Sequence, residues 1–61
     1  MKNLSILVVD DDPVIRHLLE QRLQKENYAV QVAEDGYIAE KLLRQRFFDV
    51  VLTDLMMPGG I

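Results

Sequence analysis

Two groups of aspartates stand at points where an apolar segment of the chain ends. Asp10, Asp11 and Asp12 follow the run Ser5–Val9, and Asp54 closes the segment of residues 49–54. If both segments are neighbouring parallel strands, their carboxyl ends lie at one edge of the sheet, where open α/β sheets bind ligands. Carboxylates that converge there repel one another unless protons or a cation neutralise them. Oxygen ligands without sulfur or histidine suit Mg²⁺, so the acidic residues predict a magnesium site.

Each group of aspartates also has a simpler interpretation. Asp12 precedes Pro13, a pair that is typical of the N-cap and the first residue of a helix. Asp10 and Asp11 alone are compatible with a solvated turn. Asp54 favours a site, because it ends a second apolar segment at the corresponding position. The two groups together carry more charge than folding gives a reason for, and we interpret them as a functional site.

The hydrophobic pattern predicts the elements that position these residues. Ser5–Val9 is a continuous apolar run, too short for a helix, and predicts a strand that is covered on both faces. A helix is expected from Pro13, with one apolar face and a stop at Asn27. The residues of that face are Val14, Ile15, Leu18, Leu19 and Leu23. His17 falls on the opposite face, which predicts an exposed histidine with no role as a ligand.

The rest of the chain repeats the alternation of strand and helix. Residues 28–33 have the composition of an edge strand, and Asp35 is suited to cap a second helix. Residues 49–54 predict a third strand, and the proline and paired glycines of residues 55–61 predict a loop. This β-α-β-α-β order indicates an α/β fold with a three-stranded parallel sheet of order 2-1-3 and a helix on each face. The residues expected to pack where the second helix ends are Phe47 and Phe48.

Composition limits the classes of function. The chain of 61 residues has room for one small domain, and its hydrophobic share of 49% is that of a globular protein. Its net charge of −3 disfavours non-specific binding to nucleic acid or to an anionic membrane. No apolar run approaches the roughly 18 residues of a membrane span, and the first residues match a signal peptide poorly. The absence of cysteine is compatible with the cytoplasmic location that we expect.

Two motifs resemble those of a known family. VVDDDP at residues 8–13 and LTDLMMP at residues 52–58 closely resemble the N-terminal signatures of CheY-like receiver domains in two-component response regulators. Shorter stretches that are also similar to the family lie at residues 27–28, 33–36 and 48–51. The resemblance covers the whole chain and implies that residues 1–61 are the N-terminal half of a receiver, ending in the loop after the third strand. It also implies the flavodoxin-like strand order 2-1-3-4-5 for the complete domain.

The resemblance implies a role for each site residue. Asp54 matches the aspartate that takes a phosphoryl group from a histidine kinase or a phosphotransfer protein. Asp11 would bind Mg²⁺ directly, Asp10 would act mainly through water, and the backbone carbonyl of Met56 would be a further ligand. A carboxylate can serve as nucleophile, and Mg²⁺ offsets the charge on the transferring phosphoryl oxygens, so this assignment agrees with the chemistry of the residues.

The resemblance also implies residues that this chain does not contain. In a receiver, a Ser or Thr that ends the fourth strand and a Lys that ends the fifth complete the site and carry the conformational switch. Thr53 is no substitute, because strand alternation points it to the face opposite Asp54, and Lys41 is expected in the middle of a solvated helix. We therefore expect these 61 residues to be incompetent for signalling by themselves.

Half of such a fold leaves surfaces uncovered. One helix cannot cover a face of three strands, and the third strand would present an unpaired apolar edge. These surfaces predict association, so we expect a homodimer or another self-assembly that completes the fold. The alternative function is therefore a truncated or engineered half-receiver that acts as a self-assembling structural fragment with a vestigial site. A phosphatase of the haloacid dehalogenase type fits poorly, because its D-x-D motif would place the nucleophile on the first strand.

Overall fold

The elements follow one another in the order that the sequence predicts. The computed structural model describes residues 3–53, so the predicted loop of residues 55–61 lies outside the described part, as do Asp54 and Met56. The strands and helices are β1 (Ser5–Val9), α1 (Pro13–Lys25), β2 (Ala29–Ala33), α2 (Gly36–Gln45) and β3 (Val50–Thr53). Neither helix within residues 3–53 combines the length and the apolar character that crossing a membrane requires.

β1 is the central strand of a parallel sheet with the order β2-β1-β3. Its residues pair in register on both sides, with Ile6 beside Val30 on one edge and beside Val50 on the other. Leu7 and Val8 are 0% and 1% exposed, because neighbouring strands cover both edges of β1 and helices cover both faces. The continuous apolar run of β1 is explained by this burial, and the predicted order 2-1-3 is confirmed.

The two helices lie on opposite faces of the sheet. Leu7 and Val9 form a buried cluster with Ala33, Phe48 and the α2 residue Ala39. The side chains of Ile6 and Val8 alternate with these and face the side of α1. Right-handed crossovers produce this arrangement, since they carry the first helix over one face and the second over the other.

Aspartate side chains begin both helices as predicted. The Asp12 carboxylate accepts hydrogen bonds from the amides of Val14 and Ile15 at 2.9 and 3.4 Å, and Pro13 occupies the first helical position. The end of α1 is also as predicted, because Asn27 has a φ of 70°, a left-handed conformation that asparagine tolerates better than most residues. The chain then turns directly into β2.

The end of α2 differs from the prediction at one of its two aromatic residues. Phe48 is buried in the core cluster that includes Ala39 of α2, but Phe47 is 77% exposed. The backbone is extended at Arg46, where the helix has ended, and in an extended segment adjacent side chains point to opposite sides, so only one of the two phenylalanines faces the core. The Arg46 guanidinium lies 5.7 Å from the centre of the Phe48 ring and covers its outer side.

The apolar face of α1 is only partly covered. Leu19 and Leu23 are half-buried, whereas Val14, Ile15 and Leu18 are between 42% and 64% exposed. The helix packs on β2 and β1 and does not reach β3 within the described residues. The sequence pattern correctly identified an apolar face, but one helix is too narrow to bury that face against three strands. Val50, Val51 and Leu52 of β3 remain partly exposed for the same reason.

The cap of α2 permits a direct test of the fold. The Asp35 carboxylate accepts a hydrogen bond from the Ile38 amide at 2.9 Å, so Asp35→Ala is expected to lower the free energy of unfolding by about 1 kcal/mol. Asp35→Ser should retain most of the wild-type stability, because a serine hydroxyl can also cap the helix. The matched control is Glu34→Ala, an exposed neighbour with the same charge change. Urea unfolding followed by circular dichroism measures all three, and equal losses at residues 34 and 35 would contradict a specific cap.

Candidate functional site

The parallel register brings the ends of β1 and β3 to the same edge of the sheet. Val9 lies beside Thr53, and these are the residues that immediately precede Asp10 and Asp54 in the sequence. The structure therefore confirms the framework on which the predicted acidic site depends. The positions of Asp54 and Met56 themselves lie outside the described residues, so their roles stay predictions.

Asp10 is built into the end of β1. It is 7% exposed and is the buried charged side chain of residues 3–53. Its amide donates to the Ala33 carbonyl at 3.1 Å, which extends the pairing of β1 with β2 by one residue. Its Oδ1 accepts a hydrogen bond from the Asp12 amide at 2.9 Å, and its carbonyl accepts one from Arg16 Nη1 at 3.0 Å. The carboxylate thus holds the turn that connects β1 to α1.

The three consecutive aspartates occupy three different environments. Asp10 is buried, Asp12 is the exposed N-cap of α1, and Asp11 is exposed at the bend between them. Asp10 and Asp12 use a carboxylate oxygen to accept a backbone hydrogen bond. No hydrogen bond or ion pair within residues 3–53 engages the Asp11 carboxylate, which stands at the surface of the turn. Asp11 is therefore the residue of the three whose charge has no task in the local fold.

The donor set at this edge is suited to Mg²⁺. Asp10 uses Oδ1 for the Asp12 amide, and among residues 3–53 no hydrogen bond involves its Oδ2. Within the same residues no group of three acidic, histidine or cysteine side chains is close enough to hold a metal ion. Mg²⁺ binds through one or two carboxylates and keeps several water molecules. One exposed and one buried carboxylate, both with free oxygens, fit that requirement.

Comparison with known proteins identifies the family. A family model for the response regulator receiver domain matches residues 6–61. The chain belongs to this family. Transcriptional regulatory protein ResD of Bacillus subtilis (strain 168) is 50% identical to the receiver over 55 residues, 90% of this chain and 23% of that protein. Probable transcriptional regulator ycf27 of Guillardia theta is 47% identical over 54 residues, 88% of this chain and 21% of that protein.

These comparisons cover the chain much more fully than they cover its relatives. The receiver chain spans less than a quarter of the length of either curated relative. No solved structure matches it significantly. The family assignment therefore rests on the sequence match and agrees with the strand order that the structure shows.

His17 and Lys41, which are predicted to be solvated helix residues, lie on the exposed surfaces of α1 and α2. The His17 side chain is 65% exposed and lies 4.0 Å from Glu20 on the outer side of α1. Lys41 is exposed on α2, with its amine 5.2 Å from the centre of the Tyr37 ring. Both side chains are exposed on their helices, as predicted.

Arg16 is a site residue that the sequence analysis missed. It lies in the first turn of α1 and reaches back to the end of β1. Helical side chains point toward the N-terminus of their helix, so a long side chain one turn after the N-cap can contact the strand that precedes it. The direction of helical side chains and the spacing of six residues from Asp10 are the sequence features that could have predicted this contact.

The hydroxyl of Thr53 is a second feature that the sequence did not indicate. Thr53 faces the side of α2, as strand alternation predicts, and lines a cavity of about 220 Å³ with Ala39, Leu43 and Val51. Within residues 3–53, its Oγ1 is buried without a hydrogen-bond partner. A buried hydroxyl that makes no hydrogen bond costs about 1–3 kcal/mol of stability. Within the described residues, this hydroxyl lies directly before the predicted phosphoacceptor and has no partner that offsets that cost.

Substitution of Thr53 tests this cost. Thr53→Val keeps the shape of the side chain and removes the hydroxyl, so it is expected to raise the free energy of unfolding by about 1 kcal/mol. Thr53→Ser is the matched control, because it keeps the hydroxyl, loses one methyl group and should lower stability by about 1 kcal/mol. Urea unfolding measures both variants. A Thr53→Val variant that is clearly less stable than wild type would show that the hydroxyl has a partner.

Proposed function

We propose that this chain is the phosphoacceptor part of a receiver in a two-component phosphorelay, with Asp54 as the residue that is phosphorylated. The observation that supports this most directly is the burial of the Asp10 carboxylate at the end of β1, beside the strand that leads into Asp54. A carboxylate is costly to bury without compensating charge or hydrogen bonds. An acid placed there, next to a free Asp11, suits a cation site rather than a plain turn.

The proposed Mg²⁺ ligands follow from the two environments. Asp11 is exposed with an unengaged carboxylate, which suits direct ligation. Asp10 is buried and already accepts the Asp12 amide, which suits contact through a water molecule. Asp54 and the backbone carbonyl of Met56 would complete the protein ligands. When bound, Mg²⁺ would offset the negative charge of the transferring phosphoryl oxygens.

The reaction assigned to Asp54 is a phosphoryl transfer to a carboxylate. A carboxylate oxygen forms the new bond to phosphorus while the bond to the donor's histidine nitrogen breaks, and that nitrogen keeps the electron pair. Such transfers depend mainly on positioning and charge stabilisation, so the residues that hold the site matter as much as the nucleophile. The partner would be a histidine kinase or a phosphotransfer protein.

The wider setting of the receiver is part of the same proposal. Both relatives bear the names of transcriptional regulators, which supports a regulatory role for the whole protein. The net charge of −3 argues that this segment itself does not bind nucleic acid. The protein would be cytoplasmic. The Lys and the Ser or Thr of the complete family site are not among these 61 residues, so we propose that they do not signal by themselves.

Phosphorylation can be measured directly by intact mass. The chain is incubated with Mg²⁺ and acetyl phosphate, and we expect the mass of one added phosphoryl group. Asp54→Asn removes the nucleophile and should abolish the adduct, as should omission of Mg²⁺. An adduct that persists in Asp54→Asn would contradict the proposed acceptor. No adduct and no Mg²⁺ binding by the wild-type chain would contradict the proposed function and leave the receiver motifs as a mark of descent.

A second candidate function is self-assembly, and the exposed apolar surface of β3 favours it. β3 is an edge strand of the described sheet, and its residues Val50, Val51 and Leu52 are 36% to 43% exposed. On the side of α1, Val14 and Leu18 are more than half exposed. An apolar edge strand is a template for pairing with another chain. In this alternative the 61 residues form a homodimer in which the acidic site is vestigial.

Analytical ultracentrifugation tests the second candidate. The wild-type chain is expected to be dimeric or larger at high micromolar concentration, and Val51→Lys should shift it toward the monomer, because a charge on an edge strand opposes pairing. Tyr37→Lys is the control, since Tyr37 is 70% exposed on α2 and lies away from β3. A wild-type chain that is monomeric and unfolds cooperatively at that concentration would exclude self-assembly.

A further inference from the structure

We propose that Arg16 is a positioning residue that holds the turn carrying Asp10 and Asp11 in the arrangement that receives Mg²⁺. The inference rests on the function proposed above. It assigns a role to a side chain that neither donates a ligand nor touches the phosphoryl group. Its basis is a pair of hydrogen bonds by which one residue of α1 holds both sides of Asp11.

The first of these hydrogen bonds is made by the side chain. Arg16 Nη1 donates to the Asp10 carbonyl at 3.0 Å in a part-buried environment. The Asp10 amide is the last group of β1 that pairs with β2, through Ala33, so its carbonyl lies just beyond the ladder. A buried carbonyl without a donor is unfavourable. The guanidinium supplies that donor from the neighbouring helix.

The second hydrogen bond is made by the backbone. The Arg16 amide donates to the Asp12 carbonyl at 2.9 Å and closes the first turn of α1. Arg16 therefore holds the residue before Asp11 with its side chain and the residue after Asp11 with its backbone. The Asp12 amide, which donates to Asp10 Oδ1 at 2.9 Å, joins the same two residues directly. Asp11 lies at the centre of a small closed network.

Among residues 3–53, the guanidinium of Arg16 does not pair with an acid. Within residues 3–53, no ion pair of 4.0 Å or less joins Arg16 to a carboxylate. The guanidinium donates to a carbonyl and leaves the Asp11 carboxylate free for a cation. Arg16 therefore acts through geometry, since a nearby positive charge taken alone would weaken the binding of Mg²⁺.

The same helix contains a matched control. Arg22 is exposed and lies along α1 in a groove with Leu18 and Gln21, away from the turn. Replacement of either arginine by methionine removes one positive charge, keeps a long stem and preserves helix propensity. Only replacement of Arg16 removes the donor to Asp10. A comparison of the two variants separates the hydrogen bond from the general effect of charge.

The experiment uses the full chain, with Arg16→Met and Arg22→Met measured beside the wild type. The first readout is hydrogen exchange at the Asp12 amide without metal, and the second is the Mg²⁺ dissociation constant from titration calorimetry. Arg16→Met is expected to speed exchange at Asp12 by about tenfold and to raise the dissociation constant by about tenfold, a change of about 1.4 kcal/mol. Arg22→Met should leave exchange unchanged and tighten Mg²⁺ binding slightly, because it only removes a positive charge.

Each outcome has one meaning. Exchange at Asp12 that is equal in the two variants, or an unchanged or lower dissociation constant in Arg16→Met, overturns the proposal. If the wild type does not bind Mg²⁺, the proposed function fails, while exchange at Asp12 still decides whether Arg16 holds the turn. Circular dichroism checks folding, and Arg16→Gln, whose amide is too short to reach the carbonyl, replaces Arg16→Met if that variant unfolds.

Discussion

The burial of β1 along residues 6–9 is the constraint on which the rest of the structure depends. A strand that is closed to water on both faces and both edges must have all its backbone groups paired within the protein, so it requires a neighbour on each side. Short connections through a helix make both neighbours parallel and carry the helices to opposite faces. Parallel pairing then brings the carboxyl ends of the strands to one edge. The location of the acidic residues is a consequence of how β1 is buried.

Most aspartates among the described residues have a structural role. Asp12 and Asp35 cap helices, Asp10 holds the turn after β1, and Asp49 closes the opposite end of the sheet. There the Asp49 amide donates to the Ser5 carbonyl at 2.8 Å, and its Oδ2 accepts the Ser5 amide at 2.7 Å. The sequence pattern suggested that Asp10 to Asp12 carry more charge than folding requires. Within residues 3–53, Asp11 is the one of these three whose carboxylate accepts no hydrogen bond.

Features that arise from periodicity and from caps were predictable from the sequence. The bounds of β1, the capping roles of Asp12 and Asp35, and the strand order followed from local chemistry and the crossover rule. Features that depend on how far one element covers another were not predictable. A helical wheel shows that Leu18 lies on an apolar face, but it does not show that α1 stops short of β3. Burial of Phe48 without Phe47, the unpaired Thr53 hydroxyl and the reach of Arg16 each depend on the neighbouring element as well as on the residue.

The position of β1 in the chain also shapes how the molecule is made. β1 is synthesised before both of its neighbours, because β2 follows only after α1 and β3 only after both helices. Pairings between distant segments form slowly, so the apolar side chains of β1 are buried only late in folding. Until β2 and β3 are synthesised, the nascent chain exposes an apolar, unpaired strand that is prone to aggregation. Placing the central strand before both of its partners therefore leaves an apolar segment exposed until they are synthesised.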